Sequence, residues 1–325
     1  MRAVRATGFG GPDALVMDAD PEPVAGAGQV VIEVSVAPID FIQTQLRRGS
    51  TPGPPLSEPP YVPGTGVAGT VVSVGDGVDA GWIRRRVVAR TASGLGGNAE
   101  RAVAGADSLI PVPDALELSD AAALLDDGGT AIGLVDNARV RPGEWVLVEA
   151  AGGGLGSLLV QLARAAGAHV IGAARGAEKL DLAGELGAAA VLDHSQPGWT
   201  ERLREITGGA GPDLVFDGVG GEIGRSAFEA TARGGRFSVH GASSGAPTVI
   251  EESDAARRGV TVIGPDQLND AFRAGTNKSA ETAMAEAVAG RIAPAIGRTF
   301  PLEQTDRAHA AMEARTVPGK TLLLV

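Results

Sequence analysis

The segment Ala151-Gly152-Gly153-Gly154-Leu155-Gly156 has the residue types and spacing to hold a diphosphate. Read as A-x-G-x-x-G, it places Ala151, Gly153 and Gly156 where small residues permit a tight turn, bare backbone against a pyrophosphate, and close packing of helix on strand. The helix that follows offers unpaired N–H groups and a partial positive charge to the same anion. The turn leaves the apolar run Trp145–Ala150 and opens an amphipathic pattern at Leu158, Leu159, Leu162, Ala163 and Ala166, the context a dinucleotide site demands. With 48 glycines in the chain, chance matches arise. A purely structural glycine turn and a methyltransferase-like nucleotide site are the alternatives.

About twenty residues past the turn, the second strand, His169–Ala174, runs into Arg175 rather than into Asp or Glu. An acid there would accept hydrogen bonds from the ribose 2′-hydroxyl of NAD(H), whereas a cation accommodates a 2′-phosphate. Arg175 offers a planar fork and Lys179 a point charge. The expected cofactor is NADP(H). The alternative is that both side chains only solvate the start of the next helix.

Few residues offer proton chemistry. Tyr61 is the single tyrosine and stands beside the Gly64-Thr65-Gly66 loop, suited to a substrate contact or to packing. Its i+4 neighbour is Thr65, which excludes the Tyr-x-x-x-Lys pair of short-chain dehydrogenases. Asp126 and Asp127 precede Gly128-Gly129-Thr130. Paired carboxylates near a dry cleft repel and can retain a proton; an exposed C-terminal helical turn explains them as well. His169, His194, His240 and His309 are not at ligand spacing, and the absence of cysteine removes disulfides and thiolate zinc sites. No metal is expected.

These residues need elements to position them. From Met1 to about Pro113, short Val-rich runs alternate with Gly and Pro: Gln29–Val36, Gly66–Val74, Arg86–Ala89, Arg101–Val103 and Leu109–Val112. That spacing predicts an all-β barrel or sandwich, with Thr51–Pro63 as a loop. Ser119 as N-cap, Asp120, and the Ala/Leu run to Leu125 predict a helix that opens a second domain. From Trp145 onward, apolar strand runs alternate with helical patterns as far as Val260–Ile263, which predicts a doubly wound parallel sheet. A polar helix near Asn277–Ala289, a strand Arg298–Leu302, a helix Glu303–Glu313 and a strand Thr321–Val325 close the chain. The last strand is too short to stand alone, so it is expected to pair back onto the N-terminal β domain. The division is 1–118 with 290–325, and 119–289.

A chain of 325 residues suits two domains with a cleft as the place to look for a site. The 44% hydrophobic and 21% charged composition is that of a soluble globular protein. A net charge of -11 argues against nucleic acid as partner. Arg84-Arg85-Arg86 reads as a solvated turn. The N-terminus lacks an apolar signal region, and the apolar stretch Trp145–Ala174 is broken by Glu149, Arg164, His169 and glycines. A cytoplasmic protein that does not span a membrane is the expectation.

Together with Gly10-Gly11-Pro12-Asp13, Val62-Pro63-Gly64, Ala68-Gly69, Arg141-Pro142-Gly143-Glu144, Ile206-Thr207-Gly208-Gly209, Asp217-Gly218-Val219-Gly220, Gly241-Ala242-Ser243-Ser244-Gly245 and Pro318-Gly319-Lys320, these motifs resemble the zinc-free quinone oxidoreductase-like branch of the medium-chain dehydrogenase/reductase superfamily along essentially the whole chain. The zinc branch typically has Gly-His-Glu where this chain has Gly64-Thr65-Gly66, and a cysteine ligand where this chain has Asp40.

The resemblance implies a GroES-like β-barrel domain made from both chain ends, a Rossmann domain between, and a homodimer joined at a sheet edge, with Arg233–Val239 and Arg258–Ile263 as candidate segments. It implies that Gly153, Gly154, Leu155 and Gly156 cradle the diphosphate, that Lys179 and Arg175 meet the 2′-phosphate, and that Thr130 lies near the nicotinamide ribose. Gly218, Val219, Gly241, Ala242, Ser243 and Ser244 would line the cofactor trough. Asp40 aligns with an asparagine that faces the nicotinamide, and Gln45 with a tyrosine; these departures mark an unusual substrate end. With Tyr61 and Asp127, Asp40 and Thr130 complete the catalytic candidates. The implied activity is hydride transfer from NADPH to a quinone or α,β-unsaturated carbonyl, a small-molecule substrate. The alternatives are a non-catalytic NADP(H)-binding sensor or structural protein, and a dedicated biosynthetic enoyl reductase.

Overall fold

A computed structural model describes residues 1–50, 57–268 and 276–325 of the chain. It divides into two units, Met1–Leu125 with Ile296–Val325, and Asp126–Ala295.

In the first unit, β1 (Arg2–Ala6) pairs antiparallel with β2 (Leu15–Ala19). The Val-rich runs become β3 (Gln29–Ile39), β4 (Gly66–Val74), β5 (Arg86–Arg90), β6 (Arg101–Gly105) and β7 (Ile110–Pro111). Their inward residues, among them Val30, Ile32, Val67, Val71, Val87 and Ala89, form one buried cluster, as period-two alternation requires. A short helix, α1 (Phe41–Arg47), follows β3. Part of the expected loop, 51–56, lies outside the described residues.

The helix expected to end at Leu125 instead runs on as α2 (Leu118–Ala138), and the division between units falls within it. Its start at Leu118 puts Ser119 in the first turn rather than at the cap. Gly128-Gly129 does not end the helix. A Cβ on Gly129 would stand 3.3 Å from the Ala280 backbone nitrogen, so glycine there permits close approach of two helices.

The second unit alternates strand and helix: β8 (Trp145–Glu149), α3 (Gly154–Ala165), β9 (His169–Ala174), α4 (Ala177–Glu185), β10 (Ala190–Asp193), α5 (Trp199–Ile206), β11 (Leu214–Asp217), α6 (Gly221–Ala230), β12 (Arg236–Val239), α7 (Glu252–Arg258), β13 (Thr261–Ile263) and α8 (Thr276–Val288). The sheet is parallel in the order β10-β9-β8-β11-β12-β13. The order reverses at β8, so the turns after β8 and β11 flank the switch point where ligands of such sheets bind. Arg233–Val239, offered above as an edge, contributes β12, which is paired on both sides; among the described residues the outer strands are β10 and β13, and β13 lies within Arg258–Ile263.

The chain then returns to the first unit through β14 (Ile296–Pro301), α9 (Thr305–Glu313) and β15 (Lys320–Leu324). β15 pairs antiparallel with β3 and parallel with β14, so the β unit is built from both chain ends. Its sheet runs β14-β15-β3-β4-β5-β7, with β6 also on β3.

Candidate functional site

The phosphate-type turn joins β8 to α3. Ala150 adopts a left-handed conformation, φ 53°, which turns the chain sharply at the strand end. The Gly153 N–H donates to the Ala150 carbonyl at 2.9 Å, and the Ser157 N–H to the Gly153 carbonyl at 2.9 Å. The N–H groups of Gly154, Leu155 and Gly156, at the helix start, therefore have no acceptor a turn back within the helix. A Cβ on Gly156 would overlap the Ala150 carbonyl, which is the close helix-to-strand contact that the spacing predicted.

Lys179 joins this turn through its stem. A Cβ on Gly152 would overlap the Cβ of Lys179 and come within 2.8 Å of its Cγ. The bare backbone of the turn thus lets the side chain from α4 cross it. Arg175 follows β9 directly and is exposed. The two cations read from the sequence therefore flank one turn and one strand end of the same unit.

The predicted trough residues come together at the carboxyl ends of β11 and β12. The Ser243 N–H donates to the Gly218 carbonyl at 3.3 Å, and the Ser244 N–H to the Val219 carbonyl at 2.8 Å. The His240 and Gly241 N–H groups both donate to the Asp217 carbonyl, at 3.0 and 3.1 Å. Gly218, Val219, Gly241, Ala242, Ser243 and Ser244 thus form one laced rim. The Asp217 carboxylate organises it from beneath, accepting the Val219 N–H at 3.1 Å, the Gly220 N–H at 2.7 Å and the Thr248 hydroxyl.

Glu149, the last residue of β8, is 1% exposed, and its carboxyl oxygens are sealed from solvent without the set of donors that Asp217 has. Burial first, then the charge of Asp217 and hydrogen bonding toward it, push the Glu149 carboxyl well above the ordinary carboxylate range. His240 keeps some residue surface, but its Nδ1 is sealed without a partner, and burial lowers the ring to about 4 against the pull of Asp217. The sequence reading treated Glu149 only as a break in an apolar stretch and gave Asp217 and His240 no role. An acid ending a strand otherwise made of Trp, Val and Leu was the available signal.

Asp127 and Thr130 lie on α2 at i and i+3, so both are on one helical face, and both are half-buried. The acidic pair is mid-helix, which corrects its reading as a C-terminal turn.

In the β unit, Asp40 follows β3 and Lys320 opens β15; the register Ile39–Thr321 sets them opposite each other. They form an ion pair, with the Lys320 side chain 5% exposed and that of Asp40 16%. Asp40 is thus committed to a cation that the sequence reading had not paired with it. Tyr61 bridges to Ala6 through its backbone and packs against the β core. Its hydroxyl is raised by burial and lowered in part by Arg47. Arg47, 1% exposed, donates to the Gly10 carbonyl and the Glu313 carboxylate, and its Nε approaches His309 Nδ1 at 3.4 Å. Burial, then the Arg47 charge, lowers His309 to about 3.

Among the described residues no group of three His, Asp or Glu could hold a metal ion, and no helix is long and apolar enough to cross a membrane.

Comparison with known proteins agrees with this geometry. Residues 26–114 match the alcohol dehydrogenase GroES-like domain, and residues 154–281 match the zinc-binding dehydrogenase family. Mouse quinone oxidoreductase is 32% identical over 330 residues, covering 100% of this chain and 98% of its own. A 2-haloacrylate reductase from Burkholderia is 32% identical over 321 residues, covering 97% and 96%. The crystal structure of Escherichia coli quinone oxidoreductase complexed with NADPH superposes with a TM-score of 0.91 at 29% identity, covering 100% of both chains. With a Rossmann-like parallel sheet, a GroES-like β unit and relatives matched end to end, the chain belongs to the medium-chain dehydrogenase/reductase superfamily, in its quinone oxidoreductase-like branch.

Proposed function

We propose that this protein is a zinc-independent, NADPH-dependent reductase of quinones or α,β-unsaturated carbonyl compounds. The observation that carries the reading is the glycine turn crossed by Lys179, beside a strand end that offers Arg175 and no acid. NADPH, when bound, supplies the hydride delivered to an electron-poor carbon. The N–H groups of Gly154, Leu155 and Gly156 hold the diphosphate, and Lys179 and Arg175 the 2′-phosphate. Gly218, Val219, Gly241, Ala242, Ser243 and Ser244 present backbone to the rest of the nucleotide. Thr130 serves the nicotinamide ribose. Asp40 and Tyr61 serve the substrate, Asp40 as an anion balanced by Lys320. Asp127 is a further candidate in the same reaction. The relatives' names, a quinone oxidoreductase and a 2-haloacrylate reductase, both fit electron-poor unsaturated acceptors.

Titration calorimetry with NADPH and NADH tests the cofactor. NADPH is expected to bind more tightly, and Arg175→Ala with Lys179→Ala to remove the preference by roughly tenfold or more, since each charge-assisted contact is worth about 1.5–3 kcal/mol. Equal affinity for both nucleotides in the native chain would defeat the assignment. Oxidation of NADPH by simple quinones or enones then separates an enzyme from a nucleotide-binding sensor, with Asp40→Asn as the variant that tests the unusual substrate end.

The reading includes a homodimer made by pairing β13 edges. Val262, 37% exposed, lies on this edge. Val262→Asp is expected to give a monomer by light scattering; an unchanged mass would place any interface elsewhere.

A further inference from the structure

Parallel register sets Phe216 beside Val148, and therefore Asp217 beside Glu149 one residue on. It also sets Ala173 beside Glu149 and Val239 beside Asp217. At the carboxyl edge of the sheet, one row thus reads Ala173, Glu149, Asp217, Val239: two carboxyl groups on adjacent strands, flanked by apolar side chains. Neighbouring strands stand about 4.8 Å apart, and both residues are at most 1% exposed. Two carboxylates so close and so dry do not both ionise.

The hydrogen bonds decide which one does. Asp217 has three donors, the Val219 and Gly220 N–H groups and the Thr248 hydroxyl. Glu149 has no comparable set of donors, and its buried carboxyl faces Asp217. The ionised form belongs on Asp217 and the proton on Glu149. His240 also stands at this end, its Nε2 3.0 Å from where a Cβ on Gly218 would lie, and Asp193 and His194 lie at the end of β10, two strands from Glu149. β9 contributes only Ala173 to the row, and Lys179 meets the turn at Gly152, three residues beyond Glu149.

This row joins the two turns that flank the switch point. Glu149 immediately precedes the left-handed Ala150 and the glycine turn; Asp217 shapes Gly218–Gly220 and, through its carbonyl, the His240–Gly241 segment. We propose that Glu149 is a positioning residue for the dinucleotide: as a neutral acid facing ionised Asp217, it ties the turn after β8 to the turn after β11 in the form that receives NADP(H). Ionised Glu149 would set like charges against each other beneath the groove and add a negative charge under the diphosphate. The proposal rests on the NADP(H) reading above. The bound diphosphate favours the proton on Glu149, so affinity is highest when Glu149 is protonated in the free protein and falls as pH rises through its titration.

The experiment measures NADPH affinity from neutral to alkaline pH for the native chain, Glu149→Gln and Glu149→Met, with infrared difference spectra of native chain minus Glu149→Gln. The native Kd is expected to rise with pH by up to about tenfold per unit, as one coupled proton allows. Glu149→Gln, which keeps a donor toward Asp217 and cannot ionise, is expected to stay flat at the native low-pH value. Glu149→Met, which packs without a donor, is expected to bind more weakly at every pH. The infrared spectrum is expected to show the carbonyl stretch of a protonated carboxylic acid at neutral pH without nucleotide. Parallel pH profiles for the native chain and Glu149→Gln, or equal binding by Glu149→Gln and Glu149→Met, would overturn the positioning role. A missing carboxylic acid band would overturn the proton assignment whatever the nucleotide does. NADPH binding to none of the three, with the band present, would overturn the NADP(H) reading and the positioning role with it, leaving only the shared proton.

Discussion

Arg47→Met is expected to destabilise the protein by about 3 kcal/mol, the lower end of the 3–5 kcal/mol seen when one member of a buried ion pair is removed. The guanidinium is 1% exposed and donates to Gly10 and Glu313. Desolvation already lowers its pKa, more than the Glu313 charge restores. Methionine fills part of the volume but leaves the Gly10 carbonyl without this donor. Arg48, whose Nε lies 3.0 Å from the same Glu313 oxygen, keeps that carboxylate partly compensated, which holds the loss to the lower end. Glu313→Gln in the Arg47→Met background should recover part of the loss, because it removes a charge that has lost its buried partner. Denaturant unfolding checks both. Arg202→Ala is the control: its partner Glu205 is 68% exposed, and an exposed helical pair is worth about 0.3–0.5 kcal/mol. A loss for Arg47→Met no larger than the control's would mean that the buried network contributes no more than a surface pair.

That network shows where sequence reading stops. Arg47 lies more than 260 positions from His309 and Glu313, and no local pattern links it to them. The strands of the second unit were legible because a parallel sheet covered on both faces needs short, nearly unbroken apolar runs, as in Val146-Leu147-Val148, and the turn between β8 and α3 because close packing of helix on strand restricts residue size at fixed spacing, as at Gly156. Helix α1 was not anticipated. Its seven residues place Gln43, Thr44 and Arg47 inside, the reverse of what their polarity suggests, since each finds a partner there: Pro38 for Gln43, the Phe41 carbonyl for Thr44, Gly10 and Glu313 for Arg47. Helix α7 was missed because it exposes most of its short length and buries no residue fully. Gly128-Gly129 misled as a helix end because the sequence gives no sign that Ala280 packs there. The Asp40–Lys320 pair depended on strand register between the two ends of the chain, and only the return of the last strand was legible.

Glu149→Gln is expected to stabilise the fold at neutral and alkaline pH while changing little in acid. In the folded chain burial and Asp217 raise the Glu149 carboxyl well above its unfolded value of 4.5. A group raised on folding contributes fully below its unfolded pKa, and its contribution is lost as pH climbs toward the folded pKa. Each pH unit across that window withdraws about 1.4 kcal/mol from the native chain. Glutamine has no proton to lose, so the stability difference between variant and native chain should open upward from about pH 4.5 and level off once Glu149 ionises in the folded state. The acid side is set by different groups. His240 and His309, lowered to about 4 and about 3, must be buried neutral, so each withdraws stability as pH falls below 6.5. Glu149→Gln leaves that limb untouched and His240→Phe should flatten part of it, because phenylalanine keeps the ring packing against Phe216, whose centroid lies 6.3 Å away, without a proton to gain. Thermal melts of the three proteins across pH separate the limbs. A constant offset between Glu149→Gln and the native chain, independent of pH, would mean that Glu149 is ionised in the fold and that Asp217 has an anionic neighbour after all.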